Sequence, residues 1–477
     1  GVIHVSTDAG ANWRNVTPKD LPEWSRISII DVSPHDAGTA YAAIKRYQLD
    51  DFKPYIYKTN DFGKTWKKIV RGIPDNEFVH AVREDPNKKG MLYAGTERGV
   101  WVSFDDGENW QTLQLNLPVV PIQDLVVQAR EKDLVVATHG RSFWILDDLT
   151  PLHQLSDEVS KSNAYLFQPR PTYRFGGASV SRPGLPLGKN PPGGVVVLYY
   201  VKTKPAGAGK LEFLDEKGLV MKSFVLKPDT TEAEGQQEGF GGFFGGGQVR
   251  DTVAVEAGTN RFIWDTRYSD ATTVPGGLLW AGTTRGPRAA PGKYQVRLTV
   301  EGKTLTQPFE IRKTPHIAAS QEDFKAQMDL ALKIRDKVTA THKAVNNIRD
   351  IKGQVDNLTR RMRGQANEKS VGDAAKSLKD KLTAVEEEII QVKIKSNQDA
   401  LNYPIKLNNK LAALLGSVSS GDARPTKQSY DVFNDLSVKL DAQLAKLKQV
   451  MDADLPAFNK TVKDAEVPAV ILRQERN

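Results

Sequence analysis

Eight side chains fall where this chain could do chemistry. Arg46, Arg98 and Arg141 each occupy a turn between two strand-like runs, with Tyr47, Asp50, Asp51, Glu97 and His139 close by. Guanidinium forks suit the carboxylates of a ligand, and acidic side chains can protonate a leaving group or activate water. Two-acid inversion at a glycosidic bond needs carboxyls roughly 6.5–9.5 Å apart. Asp50 and Asp51 are adjacent, so they do not supply both partners. Other chemistries lack their residues. The seven His show no metal-ligand spacing, Cys is absent, the Gly-rich stretches lack the strand-to-helix context of a phosphate loop, and there is no Gly-x-Ser-x-Gly elbow. Acidic pairs such as Asp105-Asp106 and Asp147-Asp148 read as turn bonding rather than calcium ligands. No metal and no cofactor is expected.

The elements that must position these residues are marked by a repeat. Ser6-Thr-Asp-Ala-Gly-Ala-Asn-Trp13, Thr59-Asn-Asp-Phe-Gly-Lys-Thr-Trp66 and Ser103-Phe-Asp-Asp-Gly-Glu-Asn-Trp110 share the template [ST]-x-D-x-G-x-x-W. A spacing of roughly 45 to 50 residues is a repeat signature. Asp8, Asp61 and Asp105 can accept N–H groups of their own turn; Gly10, Gly63 and Gly107 can take positive φ; Trp13, Trp66 and Trp110 can cover the turn from the next strand. With Ser6, Thr59 and Ser103 the motif is a self-capped β-turn. Period-2 runs at 78–83, 91–95, 100–103 and 110–115 predict strands a, b, c and d around it. The preceding unit repeats the order at 27–32, 40–45, 55–58 and 66–70, and the following one at 122–127, 133–138 and 143–146. Four-stranded units at this spacing predict β-propeller blades, about three and a half of them, with strand c of an earlier blade at the start. An unclosed propeller exposes apolar faces, so the remainder is expected from an N-terminal portion of the same protein or from another chain. The eight candidate residues then lie on the face of the b-to-c and d-to-a loops, opposite the motif turns.

The motifs resemble the Asp-boxes of bacterial neuraminidase repeats, found in sialidases, two-propeller xyloglucanases, photosystem assembly factors and the sortilin propeller. Asp51-Phe-Lys-Pro-Tyr-Ile-Tyr-Lys58, Leu115-Asn-Leu-Pro118 and Thr138-His-Gly-Arg-Ser-Phe-Trp-Ile-Leu-Asp-Asp-Leu149 resemble secreted bacterial sortilin-like proteins of the kind often labelled glycosyl hydrolase. Sialidase chemistry implies an arginine cluster, a Tyr–Glu nucleophile pair and an Asp acid; no Arg-Ile-Pro phrase of the sialidase type occurs.

Beyond the repeats, residues 156–194 read as a Gly/Pro-rich linker, followed by strands at 195–202, 210–214, 219–226, 261–264, 292–300 and 304–311. Asp215-Glu-Lys-Gly218 and Glu301-Gly302 supply hairpin turns. These predict an Ig-like β-sandwich over 195–315, interrupted by a Gly/Phe run at 232–247 that is either flexible or a docking patch. Pro291-Gly-Lys-Tyr-Gln-Val-Arg-Leu resembles the Ig-like module of bacterial surface and hook-cap proteins. From Ser320 the period becomes helical: Phe324, Met328, Ala331, Ile334, Val338, Thr341, Val345 and Ile348 make one stripe. Further helices are predicted at 372–395, at 404–415 and from 425, giving an antiparallel bundle over 316–477. Leu401-Asn-Tyr-Pro-Ile-Lys-Leu-Asn-Asn-Lys-Leu411 resembles the same bacterial group and reads as capping by Asn402 with core packing by Tyr403 and Leu407.

The chain is thus predicted to be multidomain and mainly β plus α: residues 1–155 as blades, then linker, sandwich and bundle. Its 66 Lys plus Arg against 58 Asp plus Glu give +8, but the basic residues alternate with acidic ones on helix faces, so no nucleic-acid surface is expected. No run reaches the ~18 apolar residues of a membrane span. The resemblance implies a secreted or periplasmic protein that binds a peptide, protein or glycan without catalysis. The alternative is a glycoside hydrolase, sialidase-like or xyloglucanase-like.

Overall fold

The computed structural model describes residues 1–175, 191–228, 251–365, 367–396 and 398–467. The Gly/Phe run at 232–247 and most of the Gly/Pro stretch at 174–194 lie outside the described residues. The protein is mixed β and α, in two compact units, Gly1–Ser160 and Lys161–Asn477.

In the first unit β1 (His4–Val5) and β2 (Arg14–Asn15) form a two-stranded ribbon. Two four-stranded antiparallel sheets follow in simple chain order. One is β3 (Arg26–Val32), β4 (Ala40–Arg46), β5 (Asp51–Thr59) and β6 (Lys67–Lys68); the other is β7 (Val79–Glu84), β8 (Leu92–Thr96), β9 (Val100–Ser103) and β10 (Gln111–Thr112). β11 (Ile122–Gln128), β12 (Asp133–Thr138) and β13 (Phe143–Leu146) make a three-stranded sheet. Helix α1 (Thr150–Gln154) follows, held by a hydrogen bond of 2.7 Å between His153 Nε2 and Asp85 Oδ2.

Alternating residues of each sheet face opposite neighbours. Tyr41, Ala43 and Ile56 pack with Val79, Val82 and Leu92 of the next sheet, whereas Ala42, Ile44 and Tyr57 pack with Ile3 and Val16. Tyr93, Val100 and Val102 repeat the arrangement against Ile122, Leu125 and Val136. These strands are buried on both faces, and so their sequences are apolar at successive positions. The far face of the third sheet is different. Phe143 and Ile145 are 74% and 59% exposed, where Val100 and Val102 in the corresponding strand are 2%. Arg83 joins the first strand of each sheet, donating to Asp31 Oδ1 on β3 at 3.1 Å and to Asp124 Oδ1 and Leu125 O on β11 at 3.0 and 3.1 Å.

The second unit contains two sheets. One has the order β14 (Ala164–Leu166), β16 (Val195–Val201), β20 (Gly258–Trp264). The other has six strands: β15 (Thr172–Tyr173), β22 (Lys303–Arg312), β21 (Gly292–Val300), β17 (Gly209–Leu214), β18 (Val220–Lys227) and β19 (Thr252–Ala254). The first and last of those pairings are parallel. Both sheets contribute to one core, in which Phe213 stacks on Trp264 with ring centroids 4.3 Å apart.

The short helix α2 (Asp157–Lys161) runs across the end of the first unit into the second, where α3 (Gln321–Arg361), α4 (Glu368–Ile389), α5 (Leu407–Val418), α6 (Lys427–Gln449) and α7 (Leu455–Asp464) share a separate core. Ser320 and Asp323 form a capping box at the start of α3, with reciprocal bonds of 3.2 and 3.0 Å. Between α6 and α7 the chain passes through a π turn, Val450–Asp454, which accommodates Pro456 without a chain break.

Two local readings need correction. Asn402 caps no α-helix, because α5 begins at Leu407 after Lys406; it ends instead the short 3-10 turn Asp399–Leu401, and Tyr403 is 37% exposed rather than core. The buried polar residues of that phrase are Asn408 and Asn409. Asn409 accepts from the Trp280 N–H at 2.7 Å and donates to the Trp280 carbonyl at 2.6 Å, as a paired strand would. The Gly/Pro-rich segment around Trp280 is thereby clamped onto the helices, with Thr283 N also donating to Ala412 O at 3.1 Å.

Candidate functional site

The repeated turns form the frame. In all three, the hydroxyl of Ser6, Thr59 or Ser103 donates to the motif Asp at 2.7–2.9 Å and accepts the Gly N–H at 2.8–2.9 Å. Asp8, Asp61 and Asp105 accept the N–H and the side chain of Asn12, Thr65 and Asn109 respectively. Those N–H and side-chain donors hold Asp8 and Asp61 down to about 2. Asp105 is also lowered: burial opposes ionisation there, and Asn109 and Ser103 outweigh it.

Gly63 and Gly107 have positive φ, +77° and +87°, and a Cβ would meet Val16 at 2.7 Å or Ile69 at 2.4 Å. The motif Trp docks on the same two residues: Trp66 Nε1 donates to Val16 O at 2.6 Å and Trp110 Nε1 to Ile69 O at 2.9 Å. The indole therefore reaches back to the preceding sheet instead of covering its own turn. Trp13 is 64% exposed, and no Cβ contact surrounds Gly10 within 4 Å. The motif turn is a device for joining neighbouring sheets.

The candidate residues occupy the opposite ends of the strands, and the same tie recurs in each sheet. In the first sheet the Arg46 side chain makes it, Nη1 donating to Glu23 O; in the other two a backbone amide does, Glu97 N donating to Phe78 O at 3.1 Å and His139 N to Pro121 O at 2.8 Å. Thr96 and Thr138, each ending a second strand, cap the following turn by accepting from Arg98 N at 3.3 Å and Arg141 N at 3.0 Å. The b-to-c turns are therefore fastened to the loop that enters their own sheet.

The side chains separate into two kinds. Arg46 Nε is paired with Asp51 Oδ2 at 2.9 Å, and Tyr55 donates to the same oxygen at 2.8 Å. Burial would raise the Asp51 carboxyl, but Tyr55, Arg46 and the Lys53 N–H together hold it below the usual range. Tyr47 stacks on Phe78 at 4.7 Å, and Asp50 is exposed at φ 56° where the turn ends. Arg98, His139 and Arg141 are exposed, and no described residue pairs with either guanidinium. The turns thus bring together Arg46 with Asp51 and leave Arg98 and Arg141 facing solvent.

Glu97 belongs to a relay that sequence reasoning missed. Glu97 Oε2 is 2.8 Å from His80 Nε2, and His80 Nδ1 is 3.2 Å from Lys45 Nζ. A protonated lysine only donates, so Nδ1 accepts and Nε2 carries the proton directed at Glu97. Burial lowers the pKa of Lys45; it also lowers that of His80, where Glu97 opposes the shift and Lys45 adds to it. Glu77, also buried, accepts from Thr96 at 2.5 Å and from Trp101 Nε1 at 2.9 Å. For Lys45 and His80 the one signal was a charged or imidazole side chain inside a largely apolar strand; Glu77 and Glu97 lie outside the strands and carried none.

A general acid requires a carboxyl whose pKa is raised. Asp51 is shifted the other way, and Glu97 is engaged by His80. Among the described residues no group of three or more His, Asp or Glu could hold a metal ion. What the face can do is present two unpaired guanidinium groups on a rigid set of turns.

No protein-family profile matches the chain. Over 76 residues it is 32% identical to the vacuolar protein sorting/targeting protein 10 of Pyrenophora teres f. teres, covering 16% of this chain. A similar stretch of 74 residues matches the protein of that name in Pyrenophora tritici-repentis, also at 32%. The chain spans about 4% of the length of these relatives. Among solved structures, YCF48 from Cyanidioschyzon merolae aligns at 16% identity over 31% of this chain and 46% of its own, with a TM-score of 0.23. The GH74 xyloglucanase from Xanthomonas campestris aligns at 12% identity over 64% and 40%, with a TM-score of 0.21. At that overlap neither superposition bears on the function of this chain.

Proposed function

We propose that the first unit is part of a sortilin-like Asp-box β-propeller in a secreted or periplasmic protein, and that it binds a peptide, protein or glycan non-catalytically on the face of the b-to-c turns. The observation that carries this reading is the division of charge on that face. Asp51 and Glu97 are engaged by Arg46 and His80, while Arg98 and Arg141 stand exposed and unpaired among the described residues. Free guanidinium groups on fixed turns suit an anionic ligand group, because the fork is already oriented and loses little freedom on binding. The local identity to two sorting proteins supports the sortilin-like reading. The exposed far face of the third sheet supports completion of the propeller by a further sheet of the same kind, from the rest of the same protein or from another chain.

The test is binding of the protein to arrays of acidic peptides and acidic glycans, with an Arg98→Ala/Arg141→Ala double variant alongside. The expected result is a defined set of anionic ligands whose affinity falls at least about tenfold in the variant, the scale of losing charge-assisted bonds. Equal binding by both proteins would overturn the reading.

A further inference from the structure

A cluster of arginines in the second unit has no part in the turn face. Arg267 and Arg288 are directly opposite each other in an isolated antiparallel bridge, with Ala289 N donating to Thr266 O at 2.7 Å and Tyr268 N to Pro287 O at 3.0 Å. Like charges in that position repel. A third guanidinium adjoins them: Arg174 Nε donates to Ala289 O at 2.9 Å, and its planar group lies 5.1 Å from the Phe324 ring centre.

The local acids do not balance the cluster. Asp422 pairs with Arg174, while Asp265 is divided between Arg267 at 3.6 Å and Arg285 at 3.1 Å. Asp270 accepts the Gly286 N–H at 2.7 Å and sets its charge against Arg267, so three acids face four guanidinium groups. Arg288 is left over. Its Nε is buried with no hydrogen-bond partner, and no described residue pairs with its guanidinium. Burial and mutual repulsion lower Arg174 and Arg267 to about 10.

The backbone here is strained as well. Thr266, 4% exposed, has φ +63°, a conformation that a β-branched residue rarely adopts. Such strain persists where the surroundings over-determine it, and Thr266 directly precedes Arg267 in the bridge.

We propose that Arg267 and Arg288, with Arg174 adjoining, bind a tetrahedral oxyanion, phosphate or sulfate, either free or as the ester of a larger ligand. An oxyanion would give the Arg288 fork its missing acceptors and neutralise the facing guanidinium groups in one step.

The experiment is thermal unfolding and calorimetric titration of the whole chain in sodium phosphate and in sodium sulfate, against sodium chloride at matched ionic strength. Wild-type protein is expected to show a saturable rise in Tm, beyond the non-saturable stabilisation these salts give any protein. Arg288→Met should lose the saturable component and, freed of like-charge repulsion, melt no lower than wild type in chloride. Arg288→Lys keeps the charge without the fork and should bind about tenfold more weakly, which keeps the test open if the Met variant fails to fold. Glucose 6-phosphate and glucosamine 6-sulfate separate the two sources: tighter binding than the inorganic ion assigns the site to an ester, weaker binding to the free ion, and both support it. Absence of a saturable component in wild type, or an unchanged midpoint in Arg288→Lys, would overturn it.

Discussion

His80 and His342 are both buried, and burial lowers the pKa of each. For His342 the bond of 2.6 Å between Nδ1 and Thr272 O opposes the shift without reversing it. An unfolded histidine takes up its proton near pH 6.5. Between that pH and the lower folded value the unfolded chain binds more protons, so stability is fully present above about pH 6.5 and is lost as the pH falls. Thermal unfolding between pH 7.5 and 5 is expected to show a falling Tm, with a slope of at most about 1.4 kcal/mol per pH unit for each histidine. His342→Gln should flatten its share of that slope; an unchanged slope would contradict the assignment. The residues of the repeated turn motif were legible in the sequence because their bonds close within five residues, so spacing alone encodes them. The Lys45–His80–Glu97 relay was not, because Lys45 and His80 lie 35 residues apart and meet only when two sheets pack.

Periodicity announced the elements, while their ends followed other rules. The helix predicted at 372–395 runs as Glu368–Ile389, since the half-buried Gly372 lies inside its first turns without breaking it and Ile390 turns to extended backbone. The stripe on α3 largely faces the core, yet Gln327 and His342 are buried beside it because they bond to segments far away in the chain. Gly/Pro composition concealed the order around residue 280, where Asn409 substitutes for a strand partner. Asn409→Ala leaves both Trp280 backbone groups without that partner and is expected to cost about 1–3 kcal/mol. Denaturant unfolding measures the loss, and amide exchange at Trp280 should accelerate in parallel. An Ala variant as stable as wild type would show that the clamp contributes nothing.

At the scale of the molecule, one turn motif organises the first unit: its Gly and Trp seat each four-stranded sheet on the strands before it, while Arg83 ties in the three-stranded sheet that follows. The sheet order was readable from the repeat, but which acids were already engaged was not, because Asp51 and Glu97 look equally available in sequence. The central claim is that this face binds and does not hydrolyse. The most direct measurement is turnover by the full-length protein on a panel of sialosides and β-glucans, with Asp50→Ala and Asp51→Ala variants alongside. The account expects no turnover above background in any of the three. Hydrolysis by the wild type that is abolished in either folded variant would contradict it.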